Sequence, residues 1–413
     1  MPAPDTAPIM PQAKPIMIVA GEASGDLHGA TLCRALRALA PERPLIGMGG
    51  DRMAAAGLER LADVTASAAI GGTEAFGPIP TLLSAWRRLR GALHGPAKPA
   101  ALVLIDFPEF NLRLARAARR ESIPVVYFIP PQVWAWRPWR VRAIRARVSL
   151  VLAVFPFEAA LYRAAGARVE FVGHPVLDAL EGAPAREAAR RRLGLGAEDL
   201  VIGVLPGSRT QEIAGTLPVL REAAARIAAA RPGARFVLAA APVAAGHADK
   251  GKGVGDLIRE ATAGAKPRMQ VVHGDTYAVM RAADLLLVTS GTATLEAALL
   301  GTPMVVCYRF SKLTEAWVRL LVRVPWISLP SIALGRAVVP ELYQRTFTAE
   351  RVADAALGLL ASPAALEAQR AAFRELAGMI GEPGVGARAA RAVLSLIGSS
   401  SVRPLAAAGS ARA

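Results

Sequence analysis

Ile16-Met17-Ile18-Val19-Ala20-Gly21-Glu22-Ala23-Ser24-Gly25-Asp26-Leu27-His28-Gly29 is a five-residue apolar run that passes directly into a turn of small and acidic residues. An uninterrupted apolar run reads as a strand buried on both faces, the pattern of a parallel sheet. Ala30 to Leu39 then has helical character. Strand, small-residue turn and helix in that order form the unit of a doubly wound α/β sheet, where ligands bind beyond the carboxyl ends of the strands. A second such unit begins at Val201-Ile202-Gly203-Val204-Leu205-Pro206-Gly207-Ser208-Arg209, with a helix from about Gln211.

Outward from these two units, short apolar runs alternate with longer Ala/Leu/Arg-rich stretches of helical period. The first half predicts strands at Ile16–Ala20, Leu45–Met48, Leu102–Ile105, Val125–Ile129, Leu150–Val154 and Glu170–Val172. The second half predicts them at Val201–Leu205, Arg235–Ala239, Met269–Val272, Leu285–Val288 and Met304–Val306. Between the series, Gly182, Pro184, a cluster of Arg and Gly194/Gly196 mark a short helix and linker. The expected organisation is a disordered leader at 1–14, a Rossmann-like domain at 15–180, a linker at 181–199, a second Rossmann-like domain at 200–397 whose terminal helices can cross back, and a disordered tail at 398–413.

A chain of 413 residues suits two domains of ordinary size. Hydrophobic residues are 53% of it, but much of that is Ala, and no charge-free apolar run approaches the roughly 20 residues of a spanning helix. Met1 to Lys14 lacks the basic start, apolar middle and cleavage site of a signal peptide. The two cysteines, Cys33 and Cys307, have no metal-ligand spacing and suit a reducing compartment. The net charge of +16 attracts polyanions: nucleic acid, anionic lipid or phosphorylated substrate. Charge alone does not choose among them, and a GC-rich genome also yields an Arg-rich chain.

The candidate chemistry sits at strand ends. In the first unit, Ser24 and Gly25 let backbone approach a ligand, and Glu22 and Asp26 can orient hydroxyls; helix capping is the structural alternative for Asp26. Asp106, in Ile105-Asp106-Phe107-Pro108-Glu109-Phe110-Asn111, follows a strand that reads as central. Partial desolvation there raises a carboxyl pKa towards general-base range, although Asp106 could instead cap the next turn. Glu109, Glu22 and Asp26 are the other candidate bases. The run Pro130-Pro131-Gln132-Val133-Trp134-Ala135-Trp136-Arg137-Pro138-Trp139-Arg140 interleaves Trp and Arg, which suits phosphosugar contacts or a membrane headgroup level, with Trp134 and Arg137 the substrate candidates. Similar anchors recur at Trp86-Arg87-Arg88 and at Trp317 to Trp326. His174, near the domain junction, is placed against the sugar, with a structural role as the alternative.

In the second unit, Gly207, Ser208 and Arg209 join a flexible backbone, a hydroxyl and a permanent charge, an arrangement suited to a diphosphate. Thr289-Ser290-Gly291-Thr292-Ala293-Thr294-Leu295-Glu296 follows the strand Leu285–Val288. Ser290, Gly291 and Thr292 at a helix start favour phosphate, while Glu296, one turn inside, can accept from ribose hydroxyls. No acidic pair of the metal-dependent sugar-transferase type is present in the sequence, so neither metal nor cofactor is expected.

The motifs GEASGDLHG, IDFPEFN, VWAWR, FPFE (Phe155–Glu158), GHP (Gly173–Pro175), LPGSR, SGTATLE, GTPMVV and VPELYQ (Val339–Gln344) run in order from about Ile16 to Gln344. In these the chain resembles the lipid-A-disaccharide synthases. The resemblance implies the GT-B fold, an α/β class with two Rossmann-like domains facing a cleft, and inverting UDP-sugar chemistry. It implies UDP-2,3-diacylglucosamine as donor, an acylated glucosamine 1-phosphate as acceptor, a tetraacyl disaccharide phosphate as product, and no nucleic-acid partner. It also implies peripheral contact with lipid on the cytoplasmic face of the inner membrane of a Gram-negative bacterium, and it puts Ser331 and Gln344 on the nucleotide.

The chain departs from the family pattern at three places. Pro131 and Gln132 replace a Ser-Pro-Ser type of loop, Ser331 stands where Asn is usual, and Gly77, Pro78 and Pro80 interrupt an expected apolar helix. On this reading Asp106 takes the proton from the acceptor 6-hydroxyl, Glu22 orients acceptor or base, and Arg209 with the Gly291–Thr294 helix start neutralises departing UDP. The rivals are a UDP-sugar 2-epimerase, which shares the fold, and a noncatalytic basic protein of membrane or nucleic acid.

Overall fold

The computed structural model describes residues 13–64, 79–95, 98–134, 138–240, 254–264, 266–309 and 325–401. The strands of the first half are β1 (Ile16–Ala20), β2 (Leu45–Met48), β3 (Leu58–Ala62), β4 (Ala101–Ile105), β5 (Val125–Phe128), β6 (Leu150–Ala153) and β7 (Val169–Phe171). Those of the second are β8 (Val201–Leu205), β9 (Arg235–Ala240), β10 (Met269–His273), β11 (Leu285–Thr289), β12 (Met304–Tyr308) and β13 (Glu341–Tyr343). They form two parallel sheets, ordered β3-β2-β1-β4-β5-β6-β7 and β10-β9-β8-β11-β12-β13.

Eleven strands lie where the apolar runs put them, with ends shifted by a residue or two. β3 and β13 were not expected, and both are sheet edges. Leu58-Glu59-Arg60-Leu61-Ala62 carries charge on an exposed face, so it lacks the continuous apolar signal of a central strand. β1 and β4, by contrast, are buried at every residue.

Strand order reverses between β1 and β4 in one sheet and between β8 and β11 in the other. A crevice opens where order reverses, because the connections on either side run to opposite faces. Parallel pairing sets Ala20 opposite Ile105 and Leu205 opposite Val288. Gly21 and Asp106 therefore leave one sheet side by side, as do Pro206 and Thr289 in the other. All four motif loops flank a switch point.

The segment between the sheets is strapped down rather than loose. Its helix Arg186–Arg192 carries Arg190, only 5% exposed, whose guanidinium donates to the carbonyls of Ala282 and Gly196 and to Asp284 at 3.1, 2.9 and 2.9 Å. The last helix, Val385–Ser401, crosses back and packs on the helix Ala23–Leu39. Gly386 permits this approach, since a Cβ there would lie 2.7 Å from Thr31 Cγ2. Asp178 caps that helix, accepting from the N–H groups of Gly384, Val385 and Gly386 at 2.7, 2.9 and 2.8 Å. One apolar cluster runs continuously from Ile16 and Val103 to Leu205 and Val288, so the two halves share a buried floor.

Candidate active site

Asp106 sits at the end of β4 in the left-handed region, φ +47°, followed by Phe107 at +46°. Two consecutive non-glycine residues there are costly, and such strain persists only where surrounding contacts impose it. Here Tyr127 Oη and Asn111 Nδ2 both donate to the Asp106 carbonyl at 2.7 Å, and the Asp106 N–H donates to Ile129 O at 3.3 Å. Asn111 is fully buried and also donates to Ile105 O at 3.1 Å. The main chain is clamped, and the carboxyl lies within electrostatic reach of Glu22 and Arg209. Burial pushes that carboxyl up to about 7, and the neighbouring Glu22 adds to the shift; the Phe107 N–H and Arg209 partly offset it.

Gly21 admits no side chain, because a Cβ would meet the Phe107 ring at 2.3 Å. Phe107 stacks on Phe110 at 5.6 Å, and Phe110 meets Trp86 edge-on at 5.7 Å. An aromatic row thus leads from the carboxylates to the helix Ile79–His94. Pro80 falls in that helix's first turn, where proline is tolerated; Gly77 and Pro78 lie outside the described residues.

Glu22 occupies the N-cap position of the helix Ala23–Leu39 without using its side chain as a cap. Its Oε2 instead faces Arg209 Nη2 of the second half at 3.5 Å. Arg209 also donates to Glu212 Oε1 at 2.8 Å. The proposed general base, the acidic turn and the diphosphate loop are therefore one electrostatic cluster assembled from both sheets.

Asp26 is engaged as a backbone cap, the structural alternative read for it, though on the next helix and not its own. It is 7% exposed, and its oxygens accept from the N–H groups of Gly50, Arg52 and Met53 at 2.8, 3.2 and 3.0 Å, which fixes the loop after β2. Ser24 is half-buried in the same first turn, and Gly25 is packed with room for a Cβ only 3.2 Å from that of Ala20. Glu109 is exposed and paired with the buried Arg140, away from the Asp106 carboxyl's cluster partners. Trp134 donates from Nε1 to Glu158 Oε1 at 2.8 Å and packs edge-on against Phe157, so its indole is engaged inside the domain. Arg137 lies outside the described residues. His174 is 6% exposed, accepts the Val176 N–H at Nδ1 at 3.2 Å, and stands 6.1 Å from the buried His28 ring. Burial holds both imidazoles neutral, His28 at about 4.

On the second sheet, Gly207 adopts φ +111° and Ser208 is exposed at the loop tip. Gly291, at φ +153° with no atom within 4 Å of a would-be Cβ, leads into the helix Thr292–Leu299, which has no side-chain cap. Such an uncapped start leaves N–H groups for an anion. Ser290 Oγ, rather than pointing freely, donates to Ile327 O at 2.5 Å. Glu296 Oε1 accepts from Tyr277 Oη at 3.1 Å, and burial raises the Glu296 carboxyl against the opposing effects of Tyr277 and Arg52. Gln344 opens a short 3-10 turn at φ +53°.

Ser331 is also engaged within the chain. It is fully buried, and its hydroxyl oxygen accepts from Ser328 Oγ and the Val338 N–H at 3.0 and 3.2 Å. With no exposed surface, this hydroxyl braces the loop Ile327–Ser331 from behind. Sequence reading missed Arg52, an exposed residue of the first half whose charge acts on Glu296 and Tyr277 of the second. The available signal was Gly49-Gly50 directly after β2. Among the described residues no group of three His, Cys, Asp or Glu stands in metal-holding geometry.

Residues 16–381 match the family described as lipid-A-disaccharide synthetase. The lipid-A-disaccharide synthase of Syntrophus aciditrophicus is 40% identical over 385 residues, covering 93% of this chain and 98% of that protein. The chain belongs to the lipid-A-disaccharide synthetase family. The Myxococcus xanthus lipid-A-disaccharide synthase is likewise 40% identical, over 92% of this chain and 97% of its own length. Solved structures show the fold: the kitacinnamycin glycotransferase (TM-score 0.61, 18% identity, 94% of this chain and 100% of that one) and the Neisseria meningitidis UDP-GlcNAc 2-epimerase bound to UDP-GlcNAc (0.57, 14%, 93% and 99%). Transferases and epimerases share this architecture, so fold alone does not separate them. Whole-length identity does, and it makes this family member a glycosyltransferase that uses a UDP-sugar donor and a sugar acceptor.

Proposed function

We propose that the protein transfers 2,3-diacylglucosamine from UDP onto the 6-hydroxyl of 2,3-diacylglucosamine 1-phosphate, with inversion, giving a β-1,6-linked tetraacyl disaccharide 1-phosphate and UDP. The observation that carries the mechanism is the Asp106 carboxyl, poised at about 7 beside Glu22 and Arg209 at the meeting of two switch points. A carboxyl with that pKa is about half ionised in neutral solution and basic enough, where ionised, to accept a hydroxyl proton.

As the acceptor O6–H gives its proton to Asp106, O6 forms a bond to the donor's anomeric carbon and the bond from that carbon to the diphosphate oxygen breaks. Negative charge grows on departing UDP, where Arg209 and the helix start at Gly291 lie. Glu296, held by Tyr277, serves the ribose. Arg52 brings positive charge from the first domain to the same region. The aromatic row Phe107-Phe110-Trp86 gives the acyl chains an apolar lane beside the base.

Membrane contact follows from the same helix. Leu83 is 48% exposed beside exposed Arg87, Arg88 and Arg90, and Trp139 is 58% exposed. Basic and amphipathic residues with bare apolar tips suit an anionic lipid interface. Among the described residues no helix is long and apolar enough to cross a membrane. The third Trp/Arg anchor falls mostly outside the described residues.

The test is an assay of purified protein with both acylated sugars in detergent, followed by mass spectrometry. One disaccharide should form per UDP released. An epimerised UDP-sugar without disaccharide would overturn the reading.

A further inference from the structure

The Pro206–Arg209 loop, whose amides and guanidinium form the diphosphate site in the reading above, already grips an anion from its own chain. Glu212, in the first turn of the helix Thr210–Ala230, accepts the Ser208 and Arg209 N–H groups on Oε2 at 3.2 and 3.4 Å, and the Arg209 guanidinium on Oε1 at 2.8 Å. The loop is moulded round that carboxylate: a Cβ on Gly207 would lie 2.8 Å from Glu212 Oε2. The other Arg209 Nη faces Glu22 at 3.5 Å. The donors suited to a phosphate are thus shared between two carboxylates, one from each half of the molecule.

We propose that the Glu212 carboxylate competes with the nucleotide diphosphate for one donor set, yielding it as the UDP-sugar binds and taking it back as UDP leaves. This rests on the assignment of the diphosphate to that loop. Bond lengths favour exchange over a permanent brace. Asp26 and Asp178 hold their closest N–H groups at 2.8 and 2.7 Å, with one Asp26 bond at 3.2 Å, whereas the two Glu212 amide bonds are 3.2 and 3.4 Å and its tight contact is the one to the Arg209 guanidinium at 2.8 Å. Amide bonds of 3.2 and 3.4 Å lie at and beyond the long end of the N–H···O range of about 2.7–3.2 Å and cost less to give up than bonds at the optimum. The loop also has an anchor independent of Glu212, because Thr216 Oγ1 donates to Pro206 O at 2.6 Å. A diphosphate, with more charge and more acceptor oxygens, outcompetes one carboxylate. The carboxylate's return offsets part of the cost of stripping UDP from Arg209. Glu212 acts through Arg209 and is a positioning residue.

Calorimetry with uridine and UDP on the parent, Glu212→Gln and Arg209→Ala proteins tests this. Gln keeps the size and one acceptor for the helix start but removes the competing charge. UDP should bind Glu212→Gln about threefold to tenfold more tightly, the effect of losing one like charge near the site. Uridine affinity should stay unchanged, and steady-state kinetics should show the donor KM falling together with kcat as UDP release slows. Unchanged or weaker UDP binding by a folded Glu212→Gln protein would overturn the proposal and leave Glu212 a fixed brace. If that variant does not fold, Glu212→Asp, which draws the charge back by one methylene, should shift UDP affinity in the same direction, and no shift overturns it. Arg209→Ala reads the underlying assignment separately: UDP binding unaffected there removes the diphosphate from this loop.

Discussion

Arg209 and Glu22 are separated by 187 positions in the chain, yet Nη2 of one and Oε2 of the other stand 3.5 Å apart across the cleft. Asp106 feels both, Glu22 raising its pKa and Arg209 lowering it. Whatever occupies Arg209 therefore alters the environment of the proposed base. On the proposed assignment, a diphosphate drawing Arg209 away from Glu22 would couple donor binding to the acceptor side without any change of fold.

Arg209→Ala and Glu296→Ala should each weaken UDP binding by roughly 1.5–3 kcal/mol, the range for a hydrogen bond to a charged group. Tyr277→Phe should weaken it less, since it frees Glu296 without removing it. Calorimetry on variants whose melting matches the parent reads all three. Equal UDP affinity in both alanine variants would place the nucleotide elsewhere.

Glu158 gives a stability prediction with a definite sign. It is 1% exposed, with its carboxyl raised by burial to about 7 from 4.5 despite the Trp134 hydrogen bond and the Val154 and Phe155 N–H groups. Between those values the folded protein keeps a proton that the unfolded chain has released, so this group's contribution falls as pH rises. Glu158→Gln keeps the Trp134 acceptor and removes the titration. Relative to the parent, it should gain on the order of 2 kcal/mol on going from pH 4.5 to pH 8. Urea melts at the two pH values measure this, and a pH-independent difference would show that Glu158 does not titrate there.

Asp178→Ala removes the acceptor of three backbone N–H groups at the start of the last helix. Stability should drop by about 1–2 kcal/mol, as expected for loss of a cap. Hydrogen exchange should rise first at Gly384 to Gly386. Protection unchanged there would mean that packing on the helix Ala23–Leu39 alone holds the crossing.

The sheets were legible because central parallel strands bury both faces and are apolar along their length, as β1, β4 and β8 are and as β11 is up to Thr289. β3 and β13 were not, since an edge strand pairs on one side only and Glu59, Arg60 and Glu341 carry no strand signal. Strand-end logic pointed to the loops that carry Asp106, Glu22, Arg209 and Glu296, and Glu22 and Arg209 meet there. It did not show that Asp26 is held by the distant Gly50 and Met53 amides, nor did the resemblance show Ser331 bonded to the Val338 amide, because no local pattern reveals such contacts. The electrostatic effect of Arg52 on Glu296 was not legible either, because it depends on how the two sheets meet.

Membrane association should be peripheral, released by high salt with mild detergent. Leu83→Glu with Trp139→Glu should reduce binding to vesicles containing anionic phospholipid while leaving UDP affinity unchanged, because both side chains are exposed. Vesicle binding equal to the parent would remove this face from the interface.

The central claim is that Asp106 accepts the acceptor's proton, and Asp106→Asn tests it most directly. Asn preserves size and the clamped main chain but cannot take a proton. Turnover should fall by about 10²–10⁴-fold, the range for general-base catalysis. UDP affinity should barely change, and the rising limb of the parent's pH profile near 7 should disappear, since below its pKa of about 7 the base is protonated and idle. A folded Asp106→Asn protein that keeps near-parental turnover, measured where chemistry limits the rate, would contradict the account and pass the role of base to Glu22.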